Sequence, residues 1–270
     1  MTAAALDAGW EFIRPPGRTT GLGMMGFDGQ AGEGMDLRAT ALPAVTVVLS
    51  FGADLVVDDG GAARVTGGFV AGPQAGTMTV RCRQAAGIEV RLPLVCAAGF
   101  AAADLTHGPV ALTDLWGRRA DRLREQLAVC DWRRRFELVR AALVEPDPVA
   151  PPGEVMYAWH RMVTSRGRVR MEELARECGW SRKRLWRRFE DRTGLTPKRA
   201  AMLVRFRHAV EGLVAGRPAA DVAFDSGYVD QSHLCRDVAA FAGVTPAAVS
   251  AELAPVAAGR YRAWGTFFQD

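Results

Sequence analysis

The segment from Met171 to Pro246 contains one pattern twice, and this repeat constrains the fold more than any other feature of the chain. The first copy is Ala175-Arg-Glu-Cys-Gly-Trp-Ser181, and the second, 48 residues later, is Ala223-Phe-Asp-Ser-Gly-Tyr-Val229. Glycine at such a position ends a helix, because it adopts the left-handed conformation that other residues avoid. Each copy also closes with Gly-x-Thr-Pro, at Gly194–Pro197 and at Gly243–Pro246. Each copy therefore predicts two helices joined by a glycine-containing turn, which is the helix-turn-helix arrangement.

The second helix of each predicted module has one apolar side. In the first module this helix runs from Ser181, its predicted N-cap, to Arg192. Its apolar side is formed by Leu185 and Phe189, and the rest of its surface carries a run of cations: Arg182, Lys183, Arg184, Arg187 and Arg188. In the second module Asp230 is the predicted N-cap, and the apolar side consists of Leu234, Val238 and Phe241.

A long amphipathic helix is predicted between the modules, from Lys198 to Ala215. This succession of module, linker helix and module resembles the DNA-binding half of the AraC family of bacterial transcription regulators. The most specific part is the second copy, Ala223-x3-Gly-Tyr-x-Asp-Gln-Ser-His-Leu-x-Arg236. The resemblance implies a sequence-specific transcription regulator that reads two successive major grooves. Val238 and Ala239 replace the Phe and basic residue usual in the family, so we expect the arginine-rich first module to contribute more to affinity.

The positive charge of the chain is concentrated in the same region. Residues 161–217 contain 16 Lys and Arg against 6 Asp and Glu, a net charge of +10. The remainder contains 18 against 24, so the formal net charge of +4 comes entirely from this segment. A solvated basic face is the ordinary explanation for such a run of cations. Its coincidence with the helix-turn-helix spacing favours a field that attracts polyphosphate.

The ten predicted DNA-binding residues lie on the two recognition helices: Arg182, Lys183, Arg184, Trp186, Arg187, Arg188, Gln231, Ser232, His233 and Arg236. Lys183 and Arg187 lie opposite the apolar pair of the first helix, and Arg187 has the geometry to bind guanine O6 and N7. The resemblance places base-reading positions at Lys183, Trp186 and Arg187.

The other predicted contacts divide between backbone and bases. Arg182 and Arg188 are nearer the apolar side, within reach of phosphates. Trp186 either packs within the domain or stacks on a sugar and a thymine methyl. On the second helix, Ser232 and Arg236 point outward and Gln231 is placed to pair with adenine.

The first part of the chain has a different pattern. Between residues 10 and 110, Gly and Pro separate short apolar runs such as Val45–Ser50, Gly68–Ala71 and Ile88–Leu92, which predict strands of a small β-barrel or sandwich. Thr20–Gly34 is predicted to be loop and weak strand. The overall class is therefore α+β. The predicted division is a β-rich sensor or dimerisation domain with C-terminal helices (1–145), a proline-rich linker (146–153), the tandem helix-turn-helix domain (154–253) and an aromatic tail (254–270).

The helical segment that follows the strands leaves two alternatives open. An apolar stripe of Leu115, Ala120, Leu123, Leu127 and Cys130 is predicted on one helix, and a third helix runs from Trp132 to Val144. The stripe either packs under the β-domain or forms a homodimer contact, which the resemblance favours. The front domain is then expected to set dimerisation or to respond to a small-molecule effector, which nothing in the sequence identifies. RNA polymerase is a further expected partner.

Other classes of protein are not indicated by the sequence. No uncharged apolar run of about 18 residues and no basic leader are present, so we expect a cytoplasmic chain without membrane contact, and its five cysteines to be reduced. The β-region holds one histidine, His107, and no nucleophile motif occurs, so no metal, cofactor or catalytic site is predicted. A sensor cysteine at Cys82 or Cys96 stays open. The alternatives to a regulator are a DNA-modifying or repair enzyme fused to this module, and a ligand-free architectural DNA-binding protein.

Overall fold

The computed structural model describes residues 4–6, 10–16, 22–39, 41–61, 63–73, 78–97, 100, 105, 108–143 and 151–249. Within these ranges a sheet-rich N-terminal half precedes a helical C-terminal half, which confirms the α+β prediction. The strands are β1 (Ala4–Leu6), β2 (Trp10–Ile13), β3 (Gly23–Ala39), β4 (Ala44–Ser50), β5 (Leu55–Asp58), β6 (Arg64–Thr66), β7 (Gly68–Ala71), β8 (Met78–Pro93) and β9 (Val110–Ala111).

The strands form a single antiparallel sheet in the order β1-β2-β3-β8-β4-β7-β9, with β5 and β6 attached to β8. The long strand β8 is central, because it pairs with β3, β4 and β5. Among the described strands β1 and β9 do not pair with each other, so the sheet is not a closed barrel. The predicted strands over Val45–Ser50, Gly68–Ala71 and Ile88–Leu92 are confirmed.

Alternate residues of each strand point to opposite sides of the sheet. Buried apolar residues lie on both sides. Ile88, Val90 and Leu92 of β8 belong to the main core, which the helices cover. A second cluster takes its members from β2, β3, β4, β5, β7 and β8, and it includes Trp10, Met25 and Val57. None of the described helices contributes a buried residue to this second cluster.

A buried ion pair lies on the face of β8 opposite to the main core. Glu89 is opposed by Met25 of β3 and Val48 of β4, both members of the second cluster. Nε and Nη2 of Arg91 each lie 3.0 Å from Oε1 of Glu89, and the two residues are only 4% and 3% exposed. Charges are rarely removed from water in this way unless they are paired, because desolvation is costly.

The helices that follow the sheet are α1 (Leu112–Trp116), α2 (Arg118–Ala128) and α3 (Trp132–Leu143). The predicted apolar stripe is divided between α1 and α2, because Gly117 takes a positive φ of 51° and breaks the helix. Ala120, Leu123 and Leu127 are buried in the main core. These three residues therefore pack within the chain, and a homodimer would have to form through another surface.

The glycine-rich segment 20–34 was predicted to be loop and weak strand; from Gly23 onward it belongs to β3, so the strand part of the prediction is confirmed there and the loop part is wrong. Residues 23–30 and 35–39 pair with β8, with a register shift between Gln30 and Met35. Gly26 shows why glycine is tolerated here, since a Cβ at this position would collide with the ring of Trp132 on α3. The missing side chain lets α3 approach the sheet closely, and this offsets the low strand propensity of glycine.

The C-terminal half contains α4 (Gly153–Thr164), α5 (Met171–Glu177), α6 (Arg182–Thr193), α7 (Pro197–Val214), α8 (Ala219–Asp225) and α9 (Gln231–Ala242). The linker helix α7 lies at its centre and contacts α4, α6, α8 and α9. Phe206 of α7 packs on Phe241 of α9 with ring centroids 5.0 Å apart. None of the described helices is both long enough and apolar enough to span a membrane.

Some predictions fall outside the described residues. They concern the aromatic tail 254–270, residues 146–150 of the proline-rich linker, and His107. Of the predicted linker 146–153, the last three residues are described: Pro151 and Pro152 precede α4, and Gly153 is the first residue of that helix.

Candidate DNA interface

The turns of the two modules have the same backbone geometry. In the first, the N–H of Gly179 donates to the carbonyl of Arg176, and the N–H of Trp180 donates to that of Ala175. In the second, Gly227 and Tyr228 make the equivalent bonds to Phe224 and Ala223. The two glycines have φ values of 65° and 74°. Both first helices therefore end in a Schellman motif, which only a residue tolerant of positive φ completes without strain.

The modules differ by one residue after this turn. In the first, Ser181 follows Trp180 directly and its Oγ accepts from the N–H of Arg184 (3.3 Å). In the second, Val229 intervenes, and Oδ1 of Asp230 accepts from the N–H of His233 (2.6 Å). Both predicted N-caps are confirmed, but the glycines are 48 residues apart and the caps 49.

The first recognition helix, α6, presents cations to solvent around its outer side. Leu185 and Phe189 are fully buried, as predicted from their spacing. The predicted DNA-binding cations are all exposed: Arg182, Lys183, Arg184, Arg187 and Arg188. The side chains of Lys183, Arg187 and Arg188 form no ion pair or hydrogen bond with any part of the chain that the structure describes. These three cations are available to an external anion.

Two arginines of α6 lie against tryptophans. Nη1 of Arg182 is 2.9 Å from Oε1 of Glu172, and its guanidinium is 5.4 Å from the ring centroid of Trp186, which is half-buried. The guanidinium of Arg184 lies 4.9 Å from the ring of Trp180. A surface ion pair of this kind contributes at most about 1 kcal/mol, so Arg182 can exchange Glu172 for a phosphate at little cost.

The second recognition helix, α9, is less basic. Gln231, Ser232 and Arg236 are exposed, as predicted. His233 is half-buried and packs edge-on against Tyr228, with ring centroids 5.1 Å apart. The structure therefore places His233 beside the turn, and it places the other three residues on the outside of the helix.

A polar cluster that the sequence analysis did not anticipate fixes the second module to the linker helix. Nη2 of Arg205, on α7, is 3.2 Å from Oδ2 of Asp237 on α9, and its guanidinium lies 4.5 Å from the ring of Tyr228. Burial and the carboxylate of Asp237 raise the pKa of Tyr228 well above its usual range, so the phenol stays neutral. This cluster joins the turn, the linker helix and the recognition helix. The one hint in the sequence was an aromatic residue directly after the turn glycine.

The sheet half contacts both recognition helices at their C-terminal ends. Nε of Arg192, in the last turn of α6, donates to the carbonyl of Val95 (3.0 Å), within a 3₁₀ turn, Leu94–Cys96, that directly follows β8. The N–H of Ala41 donates to the carbonyl of Phe241, near the end of α9 (3.3 Å). The N-terminal residues of both helices stay exposed.

Comparison with protein families agrees with this geometry. Residues 174–252 match the family model described as helix-turn-helix domain, which covers α6 to α9 and the last part of α5. This region is an AraC-type helix-turn-helix domain. No curated protein matches the chain. Among the described residues no group of three or more His, Cys, Asp or Glu side chains is placed to hold a metal ion.

Solved structures that cover most of the chain are similar to it only at low identity. ToxT from Vibrio cholerae O395 is 9% identical over 87% of this chain and 99% of its own, with a TM-score of 0.46. ToxT from Vibrio cholerae with a bound unsaturated fatty acid is 11% identical over 85% and 95%, with a TM-score of 0.44. The AraC-like transcriptional activator CuxR is 18% identical over 78% and 89%, with a TM-score of 0.29. The domain assignment rests on the family match alone.

Proposed function

We propose that this protein is a sequence-specific DNA-binding transcription regulator in which α6 and α9 enter successive major grooves on one side of the DNA. The observation that carries the proposal is the outer side of α6. Five exposed cations, three of them without a partner among the described residues, lie on the recognition helix of an AraC-type domain. Recognition helices dock with their N-terminal residues against base edges, and cations beside them bind phosphates. In both modules that end of the helix is exposed, and the opposite end is held by the sheet half.

The binding of the full chain to DNA should weaken steeply with salt. Each phosphate contact releases counterions and contributes about −0.9 to the slope of log affinity against log salt, so four to eight contacts give about −4 to −7. Fluorescence anisotropy with a labelled duplex at several salt concentrations measures this slope. Arg188→Ala should make the slope shallower by about one, whereas Arg133→Ala, an exposed arginine on α3 of the sheet half, should leave it unchanged. A wild-type slope near zero would remove the proposal.

We further propose that the sheet half responds to a small polar effector. Two features support this. The pair Glu89 and Arg91 places a carboxylate and a guanidinium inside an apolar cluster, and Nε1 of Trp10 is buried there without a hydrogen-bond partner among the described residues. A few polar groups converging in apolar surroundings are typical of small-molecule sites. In addition, β8 leads from this pair to the 3₁₀ turn that accepts the hydrogen bond from Arg192, so a shift of β8 would reach α6.

The effector proposal predicts a difference between two folded proteins. In a thermal-shift screen of small carboxylic acids, amines and polyols, at least one compound should raise the unfolding midpoint of the wild-type chain, because binding to the native state stabilises it. The double variant Glu89→Met/Arg91→Met should fold but lose this response. A response that persists in the double variant would place the site elsewhere, and a panel without any hit would count against a polar effector.

Two finer predictions stay without support from the described residues. A homodimer has no assigned surface, since the stripe on α2 is buried within the chain. Sedimentation of the full chain would measure its oligomeric state. Contact with RNA polymerase is likewise a prediction only, to be tested by transcription from a footprinted promoter in a purified system.

A further inference from the structure

The extra residue of the second module, Val229, is a branched apolar side chain that is 88% exposed. A single exposed valine is common on protein surfaces and needs no special explanation. The position of Val229 in the second module nevertheless suggests a role in DNA binding. Val229 directly precedes Asp230, the N-cap of α9, and it is followed by the exposed residues Gln231 and Ser232. It therefore stands at the end of the recognition helix that meets base edges when such a helix docks.

The neighbours of Val229 determine the direction of its side chain. Tyr228 is 6% exposed and lies beneath the guanidinium of Arg205, whereas Val229 is 88% exposed at a bend of the chain. The side chain of Tyr228 therefore points into the domain, and that of Val229 points away from it. The hydrogen bonds of Tyr228 and Asp230 fix the backbone on both sides of Val229, so its methyl groups are held outward without making any contact that the fold requires.

We propose that Val229 contacts the C5-methyl group of a thymine in the major groove and adds a base preference to the second module. This inference rests on the proposed function, because it needs α9 to dock in the groove. Thymine is the base that presents a methyl group there, and apolar side chains recognise it. The first module lacks an equivalent residue, since Ser181 takes the N-cap position directly after Trp180. The contact would offset the weaker charge of α9.

The experiment compares thymine with deoxyuridine, which lacks only that methyl group. The full chain is used to select its preferred site from random DNA, and each thymine of that site is then replaced singly. We expect one replacement to weaken wild-type binding about fourfold, the effect of one methyl group withdrawn from apolar contact. Val229→Ser should bind the two forms of that position equally. Val129→Ser is the matched control, because Val129 is 86% exposed in the turn after α2, and it should keep the wild-type difference.

Several results would overturn the inference while leaving the proposed function intact. They are a selected site in which no uracil replacement changes the affinity, and a thymine preference that persists in Val229→Ser. A third is unchanged DNA binding by Val229→Ser with loss of transcription activation, which would assign Val229 to a protein contact. If the full chain selects no site at all, the proposed function itself fails. Equal thermal midpoints of wild type and both variants confirm that all three proteins are folded.

Discussion

Replacement of Arg187 by Ala is expected to cost about 1 to 3 kcal/mol of binding free energy at the specific site, while binding to random DNA changes little. Arg187 lies opposite the buried pair Leu185 and Phe189, is exposed, and has no partner among the described residues. A guanidinium in this position can make two hydrogen bonds to the edge of a guanine, so its loss should also relax the preference at one base position. Competition binding with single-base variants of a footprinted site measures both effects.

The matched variant is Arg188→Ala, which removes an equally exposed and unpartnered cation from the flank of the same helix. A phosphate contact carries no sequence information, so this change should weaken specific and random DNA alike. If Arg187→Ala also weakens both kinds of DNA equally, then α6 docks rotated from the orientation assumed here, and the assignment of base and phosphate contacts must rotate with it.

Replacement of Glu89 by Ala is expected to lower the free energy of unfolding by about 3 to 5 kcal/mol. The change leaves the guanidinium of Arg91, only 4% exposed, without the carboxylate that lies 3.0 Å away. Removing one partner of a buried ion pair is costly because the interior cannot restore the hydration that the remaining charge gave up on folding. Thermal and urea unfolding followed by circular dichroism measure the loss.

The control for this prediction removes both charges together. Glu89→Met/Arg91→Met fills a similar volume with apolar side chains, and such exchanges of buried ion pairs are often neutral or stabilising. The double variant should therefore be much closer to the wild type than the single variant is. A double variant as unstable as Glu89→Ala would show that these positions need polar groups for packing or for hydrogen bonds beyond the pair.

The helical half could be predicted from the sequence because its signals are local. Gly179 and Gly227 end their helices, and Ser181 and Asp230 begin the next ones. Each of these effects involves residues within one turn of the chain, so spacing and residue type were sufficient. The difference of one residue between the modules follows from the same residues, because the N-cap comes two residues after Gly179 but three residues after Gly227.

The sheet half was less predictable because its structure depends on distant partners. The glycine-rich strand β3 is held by pairing with β8, and Gly26 is explained by Trp132, more than 100 residues further along the chain. The burial of the stripe on α2 likewise depended on the sheet above it. The contacts between the halves could not be predicted from the sequence, since the acceptors are the backbone carbonyls of Val95 and Phe241, and any residue provides a carbonyl.

The one-residue difference between the modules has a consequence for anyone who transplants a recognition helix from one module to the other. If the two turn glycines are superimposed, His233 falls at the fully buried position of Leu185, and Leu234 falls at the half-buried position of Trp186. The grafted surface is then rotated by about 100° and displaced by about 1.5 Å along the axis. Such a chimera would lose its fold and its base contacts together. A graft aligned on Ser181 and Asp230 instead places Leu234 at the buried position of Leu185. The exposed residues of the grafted helix then keep their orientation toward the DNA.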